Sequence, residues 1–187
     1  MEYTYRYDSP IGGITLASDG TALNGLWFEG QKYYAATLEE AHGEKDLIIF
    51  RQTSQWLDIY FGGTAPDFTP PLNMKTTDFR KAVWEILLTI PYGSVTTYGE
   101  IAKRLSEQGP NVSARAVGGA VGHNAISLII PCHRVVGADG SLAGYAGGLE
   151  KKRWLLNMEG AAVCGNQYGK RKAEERKWRN KTSCSNG

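Results

Sequence analysis

The rhythm of apolar and polar positions changes along this chain. Near the start the period is two. Tyr3, Tyr5 and Tyr7 alternate with Thr4, Arg6 and Asp8, as in a half-buried strand. Ser9-Pro10-Ile11-Gly12-Gly13 is a turn signal, and Ile14-Thr15-Leu16-Ala17 reads as the return strand of a hairpin. Asp19-Gly20 marks another turn, and Leu23 to Phe28 gives a third strand. Residues 49–61 then place Phe50, Trp56, Leu57 and Tyr60 near helical spacing. This first third predicts a small α/β unit, an antiparallel sheet plus a helix. Its periodicity speaks of packing, and it shows no catalytic constellation.

Gly62 to Leu72 is rich in Gly and Pro and reads as a linker. After it the pattern turns helical. Phe79, Val83, Ile86 and Leu87 share one face, with Thr77 or Asp78 as the cap. Ile90-Pro91-Tyr92-Gly93 stops that helix. Thr97-Tyr98-Gly99-Glu100 is a capping box that opens a helix over 98–105. Gln108-Gly109-Pro110-Asn111 is a turn, and Ser113 caps a second helix from Ala114 to about Gly122. Helix, turn, helix is a known supersecondary outline. The second helix consists almost wholly of small residues, although each internal Gly costs roughly 1 kcal/mol. Two uses fit such a smooth face: close packing on another helix, or close approach to a narrow surface such as the minor groove. Its long polar side chain, Arg115, could contact phosphate or enter the base stack. A last helix, Leu149 to Met158, takes Trp154 and Leu155 as apolar anchors and ends at Gly160.

Charge sharpens the division of the 187 residues. Residues 1–75 carry 5 Lys/Arg against 10 Asp/Glu, residues 76–164 carry 9 against 7, and residues 165–187 carry 7 against 2. We read 1–75 as a supporting domain, 76–164 as the functional domain and 165–187 as a basic, flexible tail. A polyanion would favour the later segments. The N-terminus lacks the apolar core of a signal peptide, and no apolar run reaches membrane-spanning length. Cys132, Cys164 and Cys184 cannot all pair within one chain and fit no zinc spacing, so reduced thiols in a cytosol are expected.

The chemistry gathers at Pro131-Cys132-His133-Arg134-Val135. A thiol near its usual pKa is only a few per cent thiolate at neutral pH, and a neighbouring base changes that. Glu159 stands at the C-terminal end of the last helix, where the dipole disfavours a carboxylate. Local conflicts of this kind often mark functional sites, although a solvent-facing residue at a frayed end would look the same.

Taken in order, these residues resemble the O6-alkylguanine-DNA alkyltransferase family. The resemblance runs from about Thr77 to Gly160. It rests on Pro91-Tyr92-Gly93 with Thr97-Tyr98, Arg115-Ala116-Val117-Gly118-Gly119-Ala120, Asn124, Ile130-Pro131-Cys132-His133-Arg134-Val135-Val136, Gly144-Tyr145-Ala146-Gly147-Gly148-Leu149, Trp154-Leu155-Leu156 and Glu159-Gly160. Residues 1–75 match more loosely, and the tail after about Ala161 matches nothing recognised.

The resemblance implies an α+β fold: a small N-terminal α/β domain followed by a mainly helical, winged-helix-like domain with a helix-turn-helix. It implies single-turnover DNA repair, in which the alkyl group moves from O6 of guanine to the protein's own cysteine after the nucleotide flips out through the minor groove. Cys132 would be the acceptor, His133 the base acting through a water, and Glu159 the group that orients the imidazole. Asn124 would brace the turn before a cysteine strand. Tyr98 would donate to the guanine ring and help rotate the 3′ phosphate. The carbonyls of Cys132 and Val135 would accept from the guanine amine. Tyr145 and the amide of Ala146 would line the O6 side, with Ser127 shaping the pocket. Arg115 would fill the gap left by the base, and Ser113 and Ala114 would lie on the DNA. Neither a cofactor nor a metal is expected. The expected partner is double-stranded DNA holding alkylated guanine, possible O4-alkylthymine activity stays open, and a monomer away from membranes, in the cytoplasm, nucleoid or nucleus, is expected.

Some relatives carry Ser where Ala146 stands; the useful group there is the main-chain N–H. Relatives that bind lesions without repairing them lack the cysteine, commonly with Trp in its place. A thiol hydrolase built on Cys132, His133 and Glu159 is a further rival, but a thioether resists water.

Overall fold

The computed structural model describes residues 1–107 and 109–169. Strand β1 (Glu2–Ser9) pairs antiparallel with β2 (Gly12–Ser18), and β2 with β3 (Leu23–Phe28). The hairpin and the third strand therefore lie where the period-two pattern puts them. A short strand β4 (His42–Glu44) adds to the far edge in parallel with β1, so the sheet order is β3-β2-β1-β4 and the sheet is mixed rather than purely antiparallel. Neither its length nor its composition announces β4.

Helix α1 (Ile48–Phe61) packs on this sheet, burying Ile49, Phe50, Trp56, Leu57 and Tyr60. Tyr5 stacks on Phe50 and Tyr7 on Phe61, with ring centroids 5.7 and 6.4 Å apart. The alternating tyrosines thus grip the helix with ring faces while their edges stay wet.

The second half is helical. Thr77 caps α2 (Asp78–Leu88), accepting from the N–H of Arg80. Both arms of the capping box at Thr97 and Glu100 form, opening α3 (Tyr98–Ser106). Ser113 caps α4 (Ala114–Gly122) by accepting from the N–H of Ala116. Two expected helix faces need correction. On α2 the buried residues are Val83, Trp84 and Leu87, while Phe79 is exposed. The Trp84 indole donates to the carbonyl of Ala120 on α4 at 2.9 Å, which draws that ring inward. On α5 (Leu149–Met158) the buried residues are Lys152, Leu155 and Leu156. Trp154 lies at the surface, against Phe61 of α1.

Cys132 does not sit on a strand. The apolar run before it is irregular, with Leu128 buried at a φ of 69°, and Cys132–Arg134 form a single 3-10 turn. Strand β5 (Thr96–Thr97) pairs in parallel with β6 (Val135–Val136), which ties the start of α3 to the residues just after that turn. One cluster of buried apolar side chains runs from Ile14 through Leu57, Val83 and Val117 to Leu155, across both halves of the chain.

The expected tail boundary at 165 falls inside a hairpin. Strand β7 (Val163–Cys164) pairs with β8 (Gln167–Tyr168), and the N–H of Leu142 donates to the carbonyl of Asn166. The rest of that tail, from residue 170 onward and including Cys184, lies outside the described residues. Cys132 is a free thiol, but Cys164 is disulfide-bonded, against the expectation of three reduced thiols. An odd number of cysteines prevents three from pairing, not two.

Candidate active site

The turn Cys132–Arg134 projects its side chains toward different partners. Cys132 is 3% exposed and borders a cavity of about 330 Å³, at the small end of the roughly 300–1,000 Å³ usual for ligand pockets. One wall is the C-terminal half of α4, from Gly118 to Gly122, together with Tyr98. The facing wall is the loop Gly144-Tyr145-Ala146. The Tyr98 hydroxyl donates to the carbonyl of Ala143 at 2.8 Å, holding the two walls together.

Asn124 does more than brace a turn. Its carboxamide nitrogen donates to the carbonyl of Ile130 at 2.7 Å and to Cys132 Sγ at 3.1 Å, while its oxygen accepts from the N–H of Ile126. Burial pushes the Cys132 thiol up. The Asn124 hydrogen bond, the Lys152 charge and the main-chain N–H groups of Cys132 and His133 act in the other direction without overcoming it. The resting group is therefore a thiol that needs a base.

His133 is wholly buried. Its Nε2 lies 2.7 Å from Glu159 Oε1, and its Nδ1 has no hydrogen-bond partner among the described residues. An ionised carboxylate can only accept, so Nε2 carries the hydrogen and Nδ1 keeps the lone pair. Burial lowers the pKa of His133, opposed by Glu159 and reinforced by the charges of Arg134 and Lys152. The ring is thus held neutral with a basic nitrogen free.

Glu159 resolves the conflict with the helix dipole through its donors. Oε1 accepts from His133, from the Tyr60 hydroxyl at 2.7 Å and from Arg134 Nη2 at 3.0 Å. Oε2 accepts from Arg134 Nε at 2.9 Å and from the N–H of Gly93 at 3.1 Å. Burial works to raise this carboxyl, but the hydrogen bonds from His133 and Arg134 and the Arg134 charge hold it well below the usual carboxylate range. Gly93 has a φ of 73°, and a Cβ there would lie 2.7 Å from the carbonyl oxygen of Glu159, so only glycine fits.

Three members of this site escape sequence reasoning. Tyr60 reads as one more apolar position on α1, Arg134 as part of the cysteine motif without a role of its own, and Lys152 draws no notice in the sequence. Lys152 is fully buried, with no ion pair among the described residues. Its ammonium donates to the carbonyls of Val135, Ala143 and Gly144 at 2.6, 3.0 and 3.1 Å. Burial lowers its pKa to about 8, with the Cys132 charge pulling the other way. The position of Lys152 one turn before two buried leucines was a signal, but charge masks such a signal.

The other expected residues are spread around this centre. Tyr145 and Ala146 line the cavity. Ser127 is buried behind it, near Tyr145 and the Gln31 side chain, and does not line it. Val135 is also buried and off the cavity, its carbonyl held by Lys152. Ala114, Arg115, Gly118, Gly119 and Gly122 fall on one face of α4, spaced one, three or four residues apart, and none is buried. A Cβ added at Gly119 or Gly122 would meet nothing within 4 Å, and at Gly118 only the Tyr98 ring at 3.9 Å. Packing among the described residues therefore does not require these glycines.

A buried thiol bordering a small cavity, next in the chain to a histidine hydrogen-bonded to a carboxylate, and a helix-turn-helix alongside are the features of a thiol-based transferase that works on DNA. The chain belongs to the 6-O-methylguanine DNA methyltransferase family. Residues 78–161 match that family's DNA-binding domain and residues 1–74 its ribonuclease-like domain. The methylated-DNA–protein-cysteine methyltransferase of Mycobacterium tuberculosis is 45% identical over 152 residues, covering 81% of this chain and 88% of the relative. The protein of that name from Haemophilus influenzae is 42% identical, covering 85% and 86%. Among solved structures, the Mycobacterium tuberculosis O6-methylguanine methyltransferase superposes with a TM-score of 0.73 at 43% identity, covering 85% of this chain and 93% of that one. The Mycobacterium tuberculosis OGT in complex with DNA superposes at 0.72 with 44% identity, covering 84% and 91%.

Proposed function

We propose that this protein repairs duplex DNA by moving the alkyl group from O6 of guanine onto Cys132, once per molecule. The observation that carries the reading is Cys132 at the edge of the cavity, followed in the same turn by His133, which is hydrogen-bonded to Glu159. His133 Nδ1 takes the thiol proton through an intervening water, and Glu159 stabilises the imidazolium that results. The thiolate attacks the alkyl carbon. The carbon–O6 bond breaks, its electron pair stays with the guanine, and the base takes up a proton. Tyr98, which borders the cavity, is placed to donate that proton once its hydroxyl turns from the Ala143 carbonyl to the base.

The target atom is buried in a duplex, so the nucleotide must leave the stack at a cost of a few kcal/mol. The bare face of α4 lets the backbone approach the minor groove, and Arg115 at its exposed start fills the space left behind. The carbonyl of Cys132, which borders the cavity, would receive the guanine amine. The product is a neutral thioether that water does not cleave, so the protein is spent.

The test is intact-mass analysis after incubation with duplex DNA carrying O6-methylguanine. The protein should gain one methyl group on the peptide holding Cys132 and no more than one, and Cys132→Ala should gain none. Repeated turnover would point to a hydrolase, and tight binding without a mass change to a lesion-marking module.

A further inference from the structure

The mouth of the cavity holds two rings that the chemistry above does not use. Tyr33, between β3 and β4, stacks on His123, which ends α4; the centroids are 4.2 Å apart and the rings 20° from parallel. Both residues line the cavity with Cys132, although they come from opposite halves of the chain. Resting on the proposed transfer to Cys132, we propose that the Tyr33–His123 stack is a size-selecting wall that sets which O6 adducts reach the sulfur.

Four observations carry this. Tyr33 is 39% exposed, so its ring is no core anchor. Its backbone has a φ of 59°, a region costing about 1–2 kcal/mol for a residue with a Cβ, and such strain concentrates at functional sites. The segment is pinned in place: the N–H of Lys32 donates to the carbonyl of Ala146 on the facing loop at 2.9 Å, and the Lys32 ammonium lies 4.7 Å from the centre of the Tyr33 ring. Finally, Gly119, which also lines the cavity, carries no side chain, so it leaves the space beside the two rings unfilled.

A methyl group passes such a wall, and an aromatic adduct must displace it. The experiment measures single-turnover transfer from duplexes carrying O6-methylguanine and O6-benzylguanine, for wild type, Tyr33→Ala, Tyr33→Phe and His123→Ala. Tyr33→Ala should raise the benzyl-to-methyl rate ratio about tenfold, the scale of a small change in an apolar pocket. His123→Ala should shift it the same way, and Tyr33→Phe, which keeps the ring, should hold the wild-type ratio. Equal changes on both substrates, or no change, would overturn the wall while leaving the transfer reading intact. A wild-type protein that takes no methyl at Cys132 would overturn both.

Discussion

The hydroxyl of Tyr60 donates to Oε1 of Glu159 at 2.7 Å, joining α1 of the first half to the residue that closes α5. The same hydroxyl lies 3.2 Å from His133 Nε2, and Tyr60 is wholly buried. The first half therefore reaches into the relay instead of only propping it. Tyr60→Phe should cost about 1.5–3 kcal/mol, the range for a hydrogen bond to a charged group, and should slow methyl transfer. Urea unfolding and single-turnover rates check both. A variant that transfers at the wild-type rate would place the hydroxyl outside the chemistry.

Glu159→Gln tests the anion itself. It leaves Arg134 buried without its counter-charge, which should destabilise the protein at pH 7 by about 3–5 kcal/mol. The native carboxyl titrates below its unfolded value. Its contribution is therefore complete above the ordinary carboxylate range and fades as pH falls toward the native pKa. The stability gap between wild type and variant should shrink in acid. A gap constant from pH 7 down to pH ~3 would contradict the depressed carboxyl.

Gly119→Ala separates folding from DNA contact. The added Cβ meets nothing in the protein, so helix propensity alone should stabilise the variant by up to about 1 kcal/mol. If α4 docks on DNA as proposed, transfer from duplex DNA should nonetheless fall, because the methyl group would stand in the path of the duplex. Thermal unfolding and duplex repair measured side by side would show it, and undiminished repair would remove the bare face from the DNA interface.

Arg115→Ala should weaken transfer from duplex DNA more than reaction with free O6-benzylguanine, since only the duplex needs its gap filled. Losses of equal size on the two substrates would refute a role in extrusion.

Lys152 makes a prediction in pH. Its native pKa of about 8 lies below its ordinary 10.5. Below pH 8 the ammonium is charged in both folded and unfolded chains, and the cost of burying it is felt in full. Between about 8 and 10.5 the folded chain sheds that proton first, so stability rises with pH by up to about 3 kcal/mol. Urea unfolding of wild type against Lys152→Met should show a difference that moves in favour of wild type across this window. A flat difference would mean the ammonium is better solvated than its burial suggests.

Local chemistry explains what could be read in advance. Thr77, Thr97 and Ser113 cap helices through bonds to main chain three residues away, so their roles are written within one turn. Cys132, His133 and Glu159 stood out by motif and by an odd place on a helix. Tyr60, Arg134 and Lys152 did not, because what they do depends on groups brought together only by folding. Phe79 and Trp154 misled for a related reason. Each fits the apolar stripe of its helix, yet buried polar demands elsewhere, the Trp84 indole and the Lys152 ammonium, took the inward positions.

The shared core described above has an evolutionary side. Two halves that bury one another's side chains, and that both line the cavity, cannot be exchanged like cassettes. A hybrid built by splicing the first half of a distant relative onto this second half must also bring a hydroxyl to Glu159 and a ring to His123.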